Sequence, residues 1–322
     1  MTAWLQFGGG LVLLLIGADA FVRGCVSLAL RLKISPTTVG LTIVALGTSL
    51  PELVIGVMDN QTGSGAVAVS AMLGSNLFNI GCVLALTSII YPIAILGRTV
   101  RLEYPFMLGT VLLLWWLLYS QGEPIVLDRS DGVVLLMSSL AFVAFLIVRA
   151  KFYASRRFKT QVEETLEDAD MPSMGVAGML AFIIVGPVLL FFGGDLSLEG
   201  ARSLAQSWGW SEYVIGLTVV AFSTSAPELA VSAVAAFRKN TEVAIGNVIG
   251  SCIFNLGLVL GLSSILKPLP VESRVLHEDI CWLAGFTVLV LPLMLYGRRL
   301  GPWDGVLLLV AFLTYYGILI FG

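Results

Sequence analysis

VGLTIVALGTSLPEL, at Val39–Leu53, recurs with few changes as IGLTVVAFSTSAPEL at Ile215–Leu229. At the same offset of 176 residues, GSNLFNIG at Gly74–Gly81 matches GSCIFNLG at Gly250–Gly257. No gap is needed to align the two pairs of segments, so both copies keep the same internal spacing. The chain is therefore predicted to consist of two related halves, each with a polar motif inside apolar sequence.

The composition indicates an integral membrane protein. Of the 322 residues, 57% are apolar and only 12% are charged, and the mean hydropathy is +0.95. Runs of roughly twenty apolar residues, enough for a helix to cross a ~30 Å hydrocarbon core, recur along the chain. Barrel strands would instead give segments of about ten alternating residues. The ten predicted spans are 6–31, 36–59, 64–92, 101–121, 131–150, 174–202, 211–236, 241–266, 278–297 and 303–321.

The offset of the repeat sets the relative orientation of the halves. Five predicted spans separate equivalent points, and an odd number reverses the direction in which the chain crosses the membrane. We therefore expect an all-α integral membrane protein of ten transmembrane helices, arranged as two inverted-topology five-helix repeats. The halves are 1–150 and 174–322, joined by a charged segment at 151–173. That segment could sense calcium, but its length and charge are typical of a solvated linker.

The basic residues predict which side of the membrane each loop faces. Thirteen lie in loops after odd-numbered spans and four in loops after even-numbered spans. Because loops rich in Lys and Arg remain in the cytoplasm, both termini are expected to be extracellular and the linker cytoplasmic. The chain is thus expected to be a multi-pass protein of the cell (inner or plasma) membrane.

Each repeat places one carboxylate deep in an apolar span, Glu52 in the first half and Glu228 in the second. A charged group at this depth costs a few kcal/mol even on the mildest scale, so it is a functional candidate. The alternative is a neutral acid that is hydrogen-bonded within the bundle. Two copies with the same polar neighbours favour the functional interpretation.

A proline precedes each glutamate. Pro51 and Pro227 lack an N–H and clash with the carbonyl four residues back, which predicts helix openings at Gly47 and Ser223. Backbone carbonyls released in lipid need a partner, and a bound cation can be that partner. The expected carbonyl donors are those of Ala45 and Ala221.

Hydroxyl and amide side chains surround the two carboxylates at helical spacing. These residues are Thr48, Ser49, Ser75 and Asn79 in the first half, and Thr224, Ser225, Ser251 and Asn255 in the second. Such oxygen ligands suit Ca²⁺, and Na⁺ accepts the same kind. A transition-metal site would instead use His or Cys, but the single histidine, His277, is predicted in a loop and the cysteines do not cluster.

Two negative charges can balance one calcium ion or a few sodium ions, but not both loads together. If the unloaded site is too costly to move through a low-dielectric interior, only loaded forms reorient, and exchange results. A cation channel could use the same oxygens, although it would not need an inverted pair of broken helices. A membrane enzyme is disfavoured because the sequence contains neither GxSxG nor HExxH. We expect no cofactor, no catalytic activity and no nucleic-acid partner; the partners are the bilayer and the transported Na⁺ and Ca²⁺.

The segments GTSLPE, STSAPE, GSNLFN and GSCIFN resemble the two alpha repeats of the sodium/calcium exchanger family, within the cation/calcium exchanger superfamily. The resemblance implies exchange of Na⁺ for Ca²⁺ by alternating access at a midplane site, with the first and sixth spans as a sliding gate. It implies a cation centre of Glu52, Glu228, Asn79 and Asn255. The surrounding ligands would be Thr48, Ser49, Ser75, Thr224, Ser225, Ser251 and the carbonyls of Ala45 and Ala221.

Position 255 varies within the family that the chain resembles. Some prokaryotic members and the potassium-dependent branch have Asp where this chain has Asn255, so a potassium-dependent function is disfavoured. The alternative function is a proton-coupled exchanger of Ca²⁺ or another divalent cation. Exchangers of that kind commonly have a histidine in the second motif, and no predicted span here contains one.

The basic bias of the loops predicts that the linker is cytoplasmic, and labelling tests this. A cysteine introduced as Ser155→Cys is expected to react with a membrane-impermeant maleimide only after the cytoplasmic face is exposed. Labelling from outside intact cells would show that the orientation is opposite to the predicted one. A cysteine introduced in the 122–124 loop, predicted to be extracellular, is the matched control.

Overall fold

The structure, a computed structural model, describes residues 2–62, 66–120, 124–153, 174–209 and 221–321. Within these ranges it is almost entirely helical, and eight helices are long and apolar enough to cross a membrane. Two shorter apolar helices, Pro36–Thr48 and Ala226–Phe237, occupy the two remaining predicted spans, which confirms the ten-helix fold. Most of the predicted linker and the start of the seventh span lie outside the described residues.

The helix boundaries follow the predicted spans to within a few residues. The first half contains α1 (Thr2–Leu32), α2 (Pro36–Thr48), α3 (Leu50–Thr62), α4 (Ala68–Ile90), α5 (Thr99–Ser120) and α6 (Arg129–Tyr153). The second half contains α7 (Val176–Ser207), α8 (Ala221–Thr224), α9 (Ala226–Phe237), α10 (Thr241–Leu266), α11 (Val275–Leu295) and α12 (Pro302–Phe321).

The second and seventh spans are each interrupted at one residue. Ser49 separates α2 from α3 with φ −84° and ψ 9°, and Ser225 separates α8 from α9 with φ −95° and ψ 8°. The openings predicted at Gly47 and Ser223 are therefore each two residues too early.

The position of each proline explains this difference. Pro51 and Pro227 are the second residues of α3 and α9, in a first turn where no intrahelical N–H donor is required. The clash of each ring with the carbonyl four residues back is relieved by rotating ψ at the serine between them. Each glutamate consequently lies in the first turn of a new helix.

Two spans, α4 and α10, pass through the centre of the fold. In the apolar stretch of α10, 94% of the residues are buried, and in that of α4, 78% are. In the apolar stretch of α7, only 22% are buried. Both helices contain a π-helical turn at equivalent points, Asn79–Val83 and Asn255–Val259. A π turn interrupts the regular i→i−4 ladder and is often found at functional sites. The predicted polar ligands of α4 and α10 thus lie at the most enclosed part of the bundle.

Short strands tie loops together on each side of the bundle. β1 (Ile93–Ala94) pairs with β4 (Arg299–Leu300), and β2 (Val126–Leu127) pairs with β3 (Leu269–Pro270), both antiparallel. β1 and β4 follow the third and ninth spans, whereas β2 and β3 follow the fourth and eighth. Loops after odd-numbered spans therefore meet one another, as the inverted topology requires.

A cluster of charged and polar side chains also links loops after odd-numbered spans. Arg98, after the third span, forms an ion pair with Glu103 at 3.2 Å and contacts Ser35, after the first span. Its guanidinium also lies 3.9 Å from the carboxylate of Glu242, in the first turn of α10. Thr37 donates to the same carboxylate at 2.7 Å, so this side of the bundle is held by a connected polar network.

Asp19 and Arg23 lie one helical turn apart in α1. The two side chains form an ion pair at 2.8 Å within α1. The structure adds a partner from a distant part of the sequence, since Arg238 also contacts the Asp19 carboxylate. The contact between Asp19 and Arg238 therefore connects α1 to the end of α9.

Glycines form the seam between α1 and α7. They recur every seven residues at Gly10, Gly17 and Gly24 on α1 and at the equivalent Gly186, Gly193 and Gly200 on α7. A Cβ built on Gly193 would lie 2.7 Å from Leu14 N, and one on Gly17 would lie 3.0 Å from Leu190 N. Since lipid gives no hydrophobic drive for helices to associate, this close backbone approach is what lets two long helices pack.

Filling the glycine seam is expected to destabilise the protein. Gly193→Val would place carbon atoms against the backbone of α1, and such overpacking costs typically about 1–3 kcal/mol. The measurement is the thermal unfolding midpoint of the purified protein in detergent. The control is Gly178→Val on the same helix, where nothing lies within 4 Å of the added Cβ. Equal midpoints for the two variants would contradict the seam.

Candidate cation site

The two broken spans present their glutamates toward each other inside the bundle. Glu52 and Glu228 are only 1% and 0% exposed, although each lies in the middle of a predicted span. Both stand in the first turn of a helix, where the N-terminal end of the helix dipole stabilises negative charge. The hydrogen bonds around the two carboxylates join them in one buried site.

Hydrogen bonds cross from one half of the chain to the other around the carboxylates. Ser49 Oγ donates to Glu228 Oε1 at 3.2 Å, so the hydroxyl of one broken helix contacts the carboxylate of the other. Ser75 Oγ donates to Glu52 Oε1 at 3.4 Å and is 3.0 Å from Ser225 Oγ. These contacts put the serines and glutamates of both repeats in a single buried cluster.

Thr48 and Ser251 complete the contact between α2 and α10. Their hydroxyl oxygens are 3.3 Å apart. The eight side chains of this cluster are almost fully buried: Thr48, Ser49, Glu52, Ser75, Ser225, Glu228, Ser251 and Asn255. Asn79 is also fully buried, at the start of the π turn of α4. Thr224 is half-buried beside them.

Several polar atoms of the predicted ligands have no hydrogen-bond partner among the described residues. They are Glu52 Oε2, Glu228 Oε2, Asn255 Oδ1 and both amide atoms of Asn79. No ion pair to either carboxylate is present in the described part of the chain. Since buried polar groups without partners are costly, unpartnered oxygens from both halves are chemically suited to hold a cation.

Two backbone carbonyls, those of Ala45 and Ala221, are predicted as cation ligands. The carbonyl oxygen of Ala45 accepts from Ser49 N at 3.0 Å and lies 3.3 Å from the Thr48 hydroxyl. One lone pair of this oxygen is therefore used within its own helix, and its part in ion binding stays a prediction. Ala221 is the first residue of α8, and its part in ion binding stays a prediction.

Two asparagines belong to this cluster that the sequence reasoning missed. Asn247 Oδ1 accepts from the Thr48 hydroxyl at 3.1 Å, and Asn247 Nδ2 donates to Ser232 Oγ at 3.0 Å. Asn76 Oδ1 accepts from Asn255 Nδ2 at 3.1 Å. Neither residue is repeated in the other half, so a search for matched pairs passes over both.

A helical pattern could have identified one of them. Asn247, Ser251 and Asn255 are spaced four apart, and this puts them on one face of α10. Two of these three residues are already predicted ligands. Asn76 gives a similar but weaker signal, because it lies three residues before only one predicted ligand of α4, Asn79.

Comparison with known proteins gives consistent matches over nearly the whole chain. The sequence profile of the family described as sodium/calcium exchanger protein matches residues 2–148 and 178–321. CaxA of Alkalimonas amylolytica, a putative antiporter by its name, is 34% identical over 310 residues, which is 95% of each chain. The sodium/calcium exchanger MaX1 of Methanosarcina acetivorans is 26% identical over an alignment of 344 residues, covering 97% of each. A solved structure of the sodium-calcium exchanger NCX_Mj, soaked with Na⁺ and Ca²⁺, matches with TM-score 0.82, 29% identity and 98% of each chain covered.

Proposed function

Since the chain belongs to the sodium/calcium exchanger family, we propose that it exchanges Na⁺ for Ca²⁺ by alternating access at the buried oxygen cluster. Membership in the family already makes it a membrane antiporter of cations. The names of MaX1 and NCX_Mj, both sodium/calcium exchangers, support these two ions as its substrates.

One observation carries the proposal for the site. The carboxylates of Glu52 and Glu228 lie together with unpartnered oxygens, and no basic side chain neutralises them within the described residues. Carboxylate, amide and hydroxyl oxygens together are the ligand set that Ca²⁺ takes. One Ca²⁺ would cancel the two charges, and Na⁺ would use the same oxygens in its turn.

Coupling follows from the energy of the unloaded site. Two carboxylates held together in a low-dielectric interior repel each other, and each also loses its hydration. Reorientation is therefore favourable only when cations occupy the site. A protein that changes access only when loaded exchanges one ion for the other and does not leak either.

The orientation remains part of the proposal. With loops after odd-numbered spans in the cytoplasm, both termini are extracellular and the two halves, 1–150 and 174–322, are joined by a cytoplasmic linker. The excess of basic residues in those loops supports this arrangement. The cell membrane is the proposed location, as expected from the sequence.

Neutralising either glutamate is expected to abolish exchange. Glu52→Gln and Glu228→Gln each remove one of the two charges, so Na⁺-driven ⁴⁵Ca²⁺ uptake into proteoliposomes should fall to the level of protein-free vesicles. Size-exclusion chromatography shows whether the variants fold. Glu272→Gln, at an exposed loop position, is the control and should leave uptake unchanged. If both site variants retained sodium-driven uptake, the proposed site would be wrong.

The coupling ion is tested by changing the gradient. Asn79 and Asn255 cannot take up a proton near neutral pH, so protons would have to compete with calcium at the two glutamates. Lowering the pH is therefore expected to inhibit exchange without driving it. The measurement is calcium uptake under an imposed sodium gradient and, separately, under an imposed pH gradient in the absence of sodium. Comparable uptake driven by pH alone would replace sodium coupling with proton coupling.

A further inference from the structure

A chain of amide groups leads from the backbone of α10 to the candidate site. Asn76 Nδ2 donates to the carbonyl of Cys252 at 3.0 Å. Asn255 Nδ2 then donates to Asn76 Oδ1 at 3.1 Å and to Ser75 Oγ at 3.0 Å. Asn255 Oδ1 ends this series, buried and without a partner among the described residues.

The direction of these hydrogen bonds is set by their starting point. Oxygen and nitrogen of an amide side chain are assigned from their hydrogen bonds, so an isolated asparagine could be placed either way round. A backbone carbonyl can only accept, so the Cys252 carbonyl requires the NH₂ group of Asn76. Asn76 must then turn its oxygen to Asn255, and Asn255 must give its own NH₂ group in return.

We propose that Asn76 is a positioning residue that fixes the Asn255 amide so that its oxygen faces the transported cation. The reverse orientation would direct an NH₂ group at the cation and repel it. This inference rests on the proposed function in one respect only, namely that the cluster binds a cation. Asn76 itself is fully buried and acts through Asn255.

The two halves of the chain differ at this point. The residue equivalent to Asn76 in the second half is Cys252, whose thiol makes only a 4.0 Å contact with the Asn76 carbonyl. The amide atoms of Asn79, the equivalent of Asn255, have no partner among the described residues. Asn255 is therefore held ready for a cation, while Asn79 is not held by any comparable bond within that part of the chain. Holding a ligand in its bound orientation beforehand raises affinity by reducing the cost of ordering it.

A carboxylate at position 255 separates orientation from packing. Its two oxygens are equivalent acceptors, so the Asn255→Asp variant needs no neighbour to set its orientation. The oxygen of Asn76 would then face a carboxylate oxygen, which is repulsive. Removing Asn76 should thus weaken cation binding when Asn255 is present, but should leave binding unchanged or improve it in the Asn255→Asp variant.

The experiment is a double-mutant cycle on purified full-length protein, with Ca²⁺ binding measured by isothermal titration calorimetry. Asn76→Ala is expected to weaken binding roughly tenfold, in line with the loss of a buried hydrogen bond. Cys252→Ala, the equivalent truncation in the other half, is expected to change binding less than about twofold, because its backbone carbonyl remains. In the Asn255→Asp background, Asn76→Ala should cause no loss. Asn76→Ser replaces it in both backgrounds if the alanine variant does not fold.

The outcomes separate this inference from the function that it rests on. An equal loss on removing Asn76 from the wild-type protein and from the Asn255→Asp variant would show that Asn76 acts through packing, and would overturn its positioning role alone. An equal loss for Cys252→Ala and Asn76→Ala would do the same. A wild-type protein that binds neither Ca²⁺ nor Na⁺ would overturn the proposed function and this inference together.

Discussion

Two buried carboxylates, with no ion pair to either in the described residues, are the constraint on which the rest of the structure depends. Glu52 and Glu228 are stable in the bundle only because several features act together. Prolines place them in the first turn of a helix, Ser49 donates to Glu228 from the opposite half while Ser75 donates to Glu52, and the most buried spans surround them. These features reduce the cost of the charges but do not cancel them, and the remaining charge is what a cation would balance at the proposed site.

Duplication explains the shared part of this design, and departures from it explain the rest. The π turns of α4 and α10, the broken spans and the glycine seams all recur at one offset. Two other amide residues depart from this symmetry. Asn247 stands where the first half has Ala71, and Asn76 stands where the second half has Cys252. Two inverted halves can therefore supply the same ligands while holding them with different strength.

The sequence was sufficient for the architecture and for the residues that converge. Apolar length predicted the ten spans, and repetition identified buried polar residues that the fold brings together, such as Ser49 with Glu228. It was less informative about backbone detail. The proline clash alone predicts a helix opening at Gly47, whereas rotation at Ser49 relieves that clash with less disruption. Contacts made by unrepeated residues, such as Arg238 with Asp19, depend on tertiary packing that no repeat or helical spacing encodes.

The position of the glycine seam bears on how access could alternate at the site. None of the twelve predicted ligands lies on α1 or α7, although these two long helices pack against each other and beside the broken spans. Close backbone contact along the glycine seam would let the two helices move as one body. Because the ligands belong to the other spans, such a movement would expose one side of the site or the other without taking the ligands apart. The repulsion between the carboxylates would then decide when the movement is allowed, since covering an unloaded site removes the water that screens its charges.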